Sequence, residues 1–340
     1  MIQTVTLLMD SLRMVLARKL FWVSVIISAL IGVIYLSISL VPEGVSFLFG
    51  AYIFENTLFT SETQEGEWFY IIIFTNFINR YWLGSGALLL ALITTVSVFP
   101  EFTKNGAIEV SLSKPVSRVK LFIVKYIGCL LFVVLQTGLF ALLAFIAVYL
   151  RLGYLNWSLF WVVGVITFAF SLIHCVQVLV GVITRSSLVA LLCGVLFWAM
   201  VWLVQVTEQT MYLNTYAVVE EKMDIDWKTG TMSGYDEDRA VDDQAAGYYD
   251  LIRKASLPLP KVRDVTLSAD RLVVFRDSGS VLEQIDLLES IEKNDIQKKS
   301  QRAERRARER NSTSYIMLSS LAFEFVVLMI GCWIFVRKDY

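Results

Sequence analysis

Long apolar runs separated by shorter polar stretches set the pattern of this chain. Six of them, Leu20–Val41, Trp82–Phe99, Tyr126–Leu150, Leu159–Thr184, Ser187–Val206 and Ser314–Val336, approach or exceed the roughly 20 helical residues that span a bilayer core about 30 Å thick. Lipid offers no partner for main-chain N–H and C=O groups, so each run is predicted to be a helix. Within these limits the only acid, Lys or Arg is Glu324. The pattern predicts an all-α integral membrane protein with six transmembrane helices.

Ahead of the first span, Ile2, Val5, Leu8, Met9, Leu12, Val15 and Leu16 recur at helical spacing, with Arg13, Arg18 and Lys19 following. This predicts an N-terminal interfacial helix over Met1–Lys19; a plain extension of the first span is the alternative. The first apolar run, about 22 residues with no Ala-x-Ala after it, is too long for a signal h-region and is read as a retained span. The run Trp68-Phe-Tyr-Ile-Ile-Ile-Phe74, within Glu67–Ile78, is too short to cross and is expected at the outer interface or as a re-entrant piece.

Charge in the short loops predicts orientation. Arg13, Arg18 and Lys19 precede the first span, Lys104, Lys114, Arg118, Lys120 and Lys125 follow the second, Arg185 follows the fourth, and Arg337 and Lys338 follow the sixth. Pro42–Asn79 instead holds Glu43, Glu55, Glu62, Glu65 and Glu67 without a Lys or Arg. Both termini and the second and fourth loops are therefore expected in the cytoplasm.

The chain accordingly divides into a membrane domain (1–206), an extracytoplasmic subdomain (207–312), and the sixth span with its tail (313–340). The subdomain is expected to be a small α+β unit. Arg271–Arg276 and Val281–Leu287 read as a β-hairpin around Asp277-Ser-Gly-Ser280, and Asp236–Asp243 as a mobile loop. The bases between 298 and 310 strain this topology. They are read either as a helix protruding from the sixth span or as the mark of one miscounted span, with Glu67–Ile78 the candidate.

Composition narrows the chemistry. Of 340 residues 56% are hydrophobic and only 18% charged, against about a quarter in a soluble protein. The net charge of −1 arises from acids and bases segregated by segment and points to no nucleic-acid partner. Cys129, Cys175, Cys193 and Cys332 all fall in spans, where they serve as small apolar residues, and the single histidine, His174, excludes a poly-His metal centre. No Gly-x-x-x-x-Gly-Lys-Ser/Thr, Gly-x-Ser-x-Gly or His-Glu-x-x-His occurs, so no catalytic residue is expected and ATP is not bound through a phosphate loop.

The strongest motif is the second inner loop, Phe99-Pro-Glu-Phe-Thr-Lys-Asn-Gly-Ala-Ile-Glu-Val-Ser-Leu-Ser-Lys-Pro-Val-Ser-Arg118. Phe102, Ile108 and Leu112 offer apolar contacts, Gly106 permits a turn, and Glu101, Glu109, Lys114 and Arg118 supply charge for docking. Pro115 ends any short helix and sets the entry angle of the third span. An ordinary basic inner loop would account for the charge alone.

This run resembles the signature loop of permease subunits in the type-2 ABC exporter family, with Lys125 at the place of a Lys in the third span's first turns. The ending Phe335-Val-Arg-Lys-Asp-Tyr340 is similar to that family's, and Leu257-Pro-Leu-Pro-Lys-Val-Arg-Asp264 resembles an outer-loop segment of some members. The Arg-rich approach to the last span departs from the pattern. The resemblance implies six spans behind an interfacial helix, a second permease subunit making a homo- or heterodimer, and a separate cytoplasmic ABC ATPase that binds ATP and Mg. This chain would hold no cofactor. Glu101, Gly106, Glu109, Lys114, Pro115 and Arg118 would transmit motion from the ATPase through a coupling loop at 100–120, in a bacterial plasma (inner) membrane.

Within the membrane, a charge at mid-span costs about 2.5–3.5 kcal/mol on insertion scales, so Glu324 must face the bundle, be protonated or have a partner. Ser320, Glu324 and Gly331 share one face of the sixth span. His174 and Gln177 lie on the fourth, near Thr167, Ser171 and Gly181, and Gln136 and Thr137 lie on the third. Glu324, His174, Gln177 and Gln136 are read either as a transport path or as interhelical hydrogen bonds that hold the bundle. A rival function is a membrane-anchored scaffold, or force-transmitting subunit, whose outer subdomain binds an envelope protein without moving cargo.

Overall fold

The computed structural model describes residues 9, 13, 16–17, 19–61, 63–103, 117–216, 219–226, 231–238, 243–275, 279–280 and 311–338. They are mostly helical, and six helical segments are long and apolar enough to cross a membrane: Lys19–Ser37, Glu65–Phe102, Arg118–Leu152, Trp157–Thr184, Ser187–Leu213 and Thr313–Arg337. Most of the expected interfacial helix at Met1–Lys19, and all of 298–310, lie outside the described residues.

Helix α1 (Lys19–Ser37) leads into a three-stranded antiparallel sheet of β1 (Ser39–Val41), β2 (Gly44–Phe47) and β3 (Tyr52–Glu55). Gly44 pairs with both Val41 and Glu55 at φ 142°, and a Cβ there would strike the Phe54 carbonyl oxygen. Only glycine fits that turn.

The second span is longer than its apolar run. It comprises α2 (Gln64–Ile72), a π-helical segment (Ile73–Ala87), α3 (Leu88–Thr95) and α4 (Val98–Phe102). Trp68–Phe74 is thus the upper part of this span rather than a separate interfacial piece. Its apolar residues face protein: Tyr70, Ile71 and Phe74 are fully buried. Tyr35 and Tyr70 stack at 4.6 Å, and each hydroxyl donates to the other's main-chain carbonyl at 3.1 and 3.2 Å.

Helix α5 (Arg118–Leu152) begins at an N-cap in which Ser117 accepts from Lys120 N–H, and ends at Gly153 in the left-handed region. Helix α6 (Trp161–Thr184) is central: it packs against α5, against α7 (Ser187–Tyr216) and against the last helix (Thr313–Arg337). Outward residues are apolar instead: Leu188, Leu192, Leu196 and Leu203 on α7, and Leu318, Phe325 and Trp333 on the last helix, are exposed. That inversion suits helices solvated by lipid.

Beyond α7, β4 (Val219–Asp226) pairs with β5 (Thr231–Asp238). Asp236–Asp238 therefore belong to a strand, where a mobile loop was expected, because main-chain pairing extends through the acidic stretch. Helices α8 (Asp243–Ser256), α9 (Val262–Leu267) and α10 (Ala269–Leu272) follow. The expected hairpin is shorter than its pattern. Arg271 is helical, β6 (Val274–Phe275) pairs with β7 (Gly279–Ser280), and 281–287 lie outside the described residues. Docking of α10 on α6 accounts for the helical start. Val262, Val265 and Ala269 join the same buried core as the spans, so α9 and α10 plug this end of the bundle. The last helix is α11 (Thr313–Arg337).

Candidate functional site

Glu324 sits midway along α11, one turn from Ser320 on the buried face that also carries Gly331 and Phe335. Tyr126 of α5 donates its hydroxyl to Glu324 Oε1 at 2.7 Å, and Ser171 of α6 stands 3.0 Å from Oε2. The Ser171 hydroxyl also lies 2.8 Å from the Phe168 carbonyl, and the Tyr126 hydroxyl 3.1 Å from the Ser171 carbonyl. Three helices thus meet at one carboxylate, which satisfies the requirement that a charge placed mid-span have partners.

Beside it, His174 is sandwiched between Tyr126 at 5.6 Å and Phe170 at 4.8 Å. Its Nδ1 is 2.8 Å from Gln177 Oε1, and Gln177 Nε2 donates to the Leu92 carbonyl at 3.1 Å. His174 Nε2 and both amide atoms of Gln136 are buried without a hydrogen-bond partner among the described residues. Such groups are uncommon in native interiors and mark polar positions not used by the packing alone. Thr137 is satisfied within its own helix, by the Val133 carbonyl at 2.7 Å.

A second constellation ties helix ends together. Arg118, the first residue of α5, donates from Nη1 to the carbonyls of Val336 and Lys338 at 2.9 and 3.0 Å. Lys338 in turn donates from Nζ to the carbonyls of Val182 and Ile183, both at 2.9 Å. These cations satisfy the orphan carbonyls at the C-termini of α11 and α6, where the helix dipole favours positive charge. Desolvation, with Arg185 nearby, lowers the Lys338 pKa below its ordinary value. We call this the clasp.

Residues just ahead of the inner loop are fixed at the same end. Phe102 stacks on Phe335 at 6.3 Å, Phe335 meets Phe122 at 5.7 Å, and Lys125 Nζ lies 5.1 Å over the Phe102 ring. A Cβ at Gly181 would come within 3.3 Å of Pro100 Cγ, so glycine lets α6 and α4 approach closely. Glu101 is exposed on α4. Gly106, Glu109, Lys114 and Pro115 lie outside the described residues.

At the opposite end, α9 is held by polar contacts. The Gln205 amide of α7 donates to the Pro260 carbonyl at 2.7 Å and accepts from Arg263 N–H at 3.0 Å. Lys261 N–H donates to Ser320 Oγ at 3.0 Å, while its ammonium donates to the Ser256 carbonyl at 2.8 Å. Burial raises the Asp264 pKa, opposed by the Lys261 charge and by Asn311 at 3.5 Å.

The expected polar residues therefore fall into one buried layer: Glu324 with Ser171, and His174 with Gln177. Tyr126 was not anticipated. It opens an apolar run and looks like an interfacial aromatic, and nothing in the chain signals a partner 198 residues away. Lys338 and Lys261 were read only as charge and as motif. No protein-family model matches the chain, and no curated protein matches it.

Proposed function

We propose that this chain is the membrane-spanning permease subunit of an ATP-driven exporter of the type-2 ABC family. A separate ATPase subunit binds ATP and Mg, docks beneath the loop at 100–120, and drives the spans. The observation that carries this reading is the anchoring of both flanks of that loop. Pro100 and Phe102 are packed against α6 and α11, and Arg118 is hydrogen-bonded to the end of α11. Force applied to the loop thus reaches α5, α6 and α11, the helices that enclose Glu324.

In this reading the clasp and both termini face the cytoplasm of a bacterial inner membrane. The three-stranded sheet and the 207–312 subdomain face outward, an interfacial helix precedes α1, and two permease subunits pair. Motion of the three helices alternates access to a path that includes Glu324, His174, Gln177 and Gln136.

The test is charge reversal at Glu109 or Arg118, with the ATPase subunit co-expressed. Both variants are expected to insert normally and leave ATP hydrolysis uncoupled from export. Normal export by both ends the coupling role. A reporter fused at Lys104 that maps to the side of the membrane away from cellular ATP ends the whole reading.

A further inference from the structure

A cavity of about 580 Å³ opens between the π-helical segment, α7 and α9, at the end of the bundle opposite the clasp. Its polar wall includes Arg80, Ser85, Arg263 and Thr266, and its apolar wall includes Trp198 and Trp202. We propose that this cavity binds the phosphate headgroup of an anionic lipid, with the lipid's tails lying along the two tryptophans. The inference does not rest on the exporter reading; it requires only that these helices cross a bilayer.

Height along the helices supports it. Arg80 stands 22 residues from Phe102 at the clasp end, about 33 Å at 1.5 Å per residue, in the half of the Glu65–Phe102 span away from the clasp. Trp202 stands 15 residues from Ser187, about 22 Å, and Trp198 lies one turn lower. Arg80 therefore stands farther from the clasp end than either indole.

Chemistry fits that arrangement. Guanidinium presents a planar fork of donors that matches a phosphate, and two of them line one cavity. An aromatic belt alone would place Trp and Tyr at this height, but it needs neither a walled cavity nor two arginines. Tyr81, which also lines the cavity, is 66% exposed and Trp202 is 53% exposed, so the cavity is reachable from the lipid side.

The backbone points the same way. Arg80, Tyr81, Gly84 and Ser85 all come from the π-helical stretch Ile73–Ala87. The i→i+5 repeat of a π turn brings Arg80 and Ser85 to one face, and such turns recur at functional sites. Gly84 faces α9, where a Cβ would make ordinary contact with Thr266 at 3.8 Å.

The experiment uses the full chain in nanodiscs that mix phosphatidylglycerol with phosphatidylcholine, read by native mass spectrometry of retained lipid. Phosphatidylglycerol is expected to be retained about tenfold over phosphatidylcholine, equivalent to roughly 1.4 kcal/mol. Arg80→Gln should abolish that preference and Arg80→Lys should keep part of it. Basic residues of the clasp also attract anionic lipid, so only the part lost in Arg80→Gln counts for the cavity. Inorganic phosphate should compete poorly. Full displacement by phosphate would assign the site to a free anion and overturn the lipid. Equal retention of the two lipids, or an unchanged preference in Arg80→Gln, would overturn the site. If Arg80→Gln does not elute as a single species, Arg263→Gln carries the same test.

Discussion

Arg118 and Lys338 form a relay: Arg118 donates to the Lys338 carbonyl at 3.0 Å, and the Lys338 ammonium reaches the end of α6. One interaction caps α11 and the next caps α6, so neither end can move alone. Half-buried cations at a helix C-terminus contribute about 0.3–1 kcal/mol each. Arg118→Gln or Lys338→Gln should therefore leave global stability almost unchanged. Local opening is the sensitive readout. Amide exchange in the last turn of α11 should rise several-fold in either variant, and unaltered exchange would mean that the clasp holds nothing.

The paired tyrosines of α1 and α2 offer a cleaner energetic test. Each hydroxyl of Tyr35 and Tyr70 donates to the other's carbonyl, and both side chains are buried. Tyr35→Phe and Tyr70→Phe should each cost about 0.5–1.5 kcal/mol. The rings touch, so the double variant should depart from additivity in a double-mutant cycle. Strict additivity would show that the two hydrogen bonds act independently.

The six spans were legible because lipid demands long apolar helices, and polar interruptions stand out against them. Where polar groups turn inward the same logic fails. Asn79 is buried at 2% exposure within the second span, so the apolar run starts only at Trp82 although the helix begins at Gln64. The small sheet was unread, although Val41-Pro-Glu-Gly44 carries the glycine its turn requires. Glu324 was found by its cost in lipid. Its partner Tyr126 was not, because which helices become neighbours is decided by packing across the bundle. The clasp escaped for a related reason, since charges near span ends signal orientation and not which carbonyls they will cap.

Gly44 gives a prediction for the sheet. Replacing it by alanine drives a Cβ into the Phe54 carbonyl at a left-handed φ of 142°. Non-glycine residues in such conformations cost about 1–3 kcal/mol. Limited proteolysis between 39 and 63 should accelerate in Gly44→Ala while the spans stay protected. Equal cleavage in both proteins would show that the sheet adapts.

Asp264 sets a pH dependence on α9. Burial raises its pKa above the ordinary 3.8, so the folded chain holds its proton longer than the unfolded chain. Below 3.8 both states are protonated and the burial cost of the carboxylate is absent. As pH rises through the window between 3.8 and the raised value, the unfolded chain ionises first and stability falls. Above that window the loss is complete and level. Asp264→Asn should remove the slope from thermal unfolding midpoints. A slope unchanged by the substitution would assign it to other groups.

Glu324→Gln separates a path residue from a packing residue. The amide keeps the volume of the carboxylate, and the site can satisfy it. Tyr126 can donate to the Gln oxygen, while Ser171 can accept from the Gln amide and give its own proton to the Phe168 carbonyl 2.8 Å away. The substitution also removes a charge whose mid-span cost is about 2.5–3.5 kcal/mol, so stability should hold or rise. Glu324→Ala is different: it removes the hydrogen bonds from Tyr126 and Ser171, leaving Tyr126 only the Ser171 carbonyl at 3.1 Å, and should cost about 1–3 kcal/mol. If the carboxylate serves transport, Glu324→Gln folds as well as the parent and loses export. If it only ties α5, α6 and α11 together, Glu324→Gln exports normally and Glu324→Ala fails through instability. Thermal midpoints in detergent, measured beside export for both variants, decide between the two.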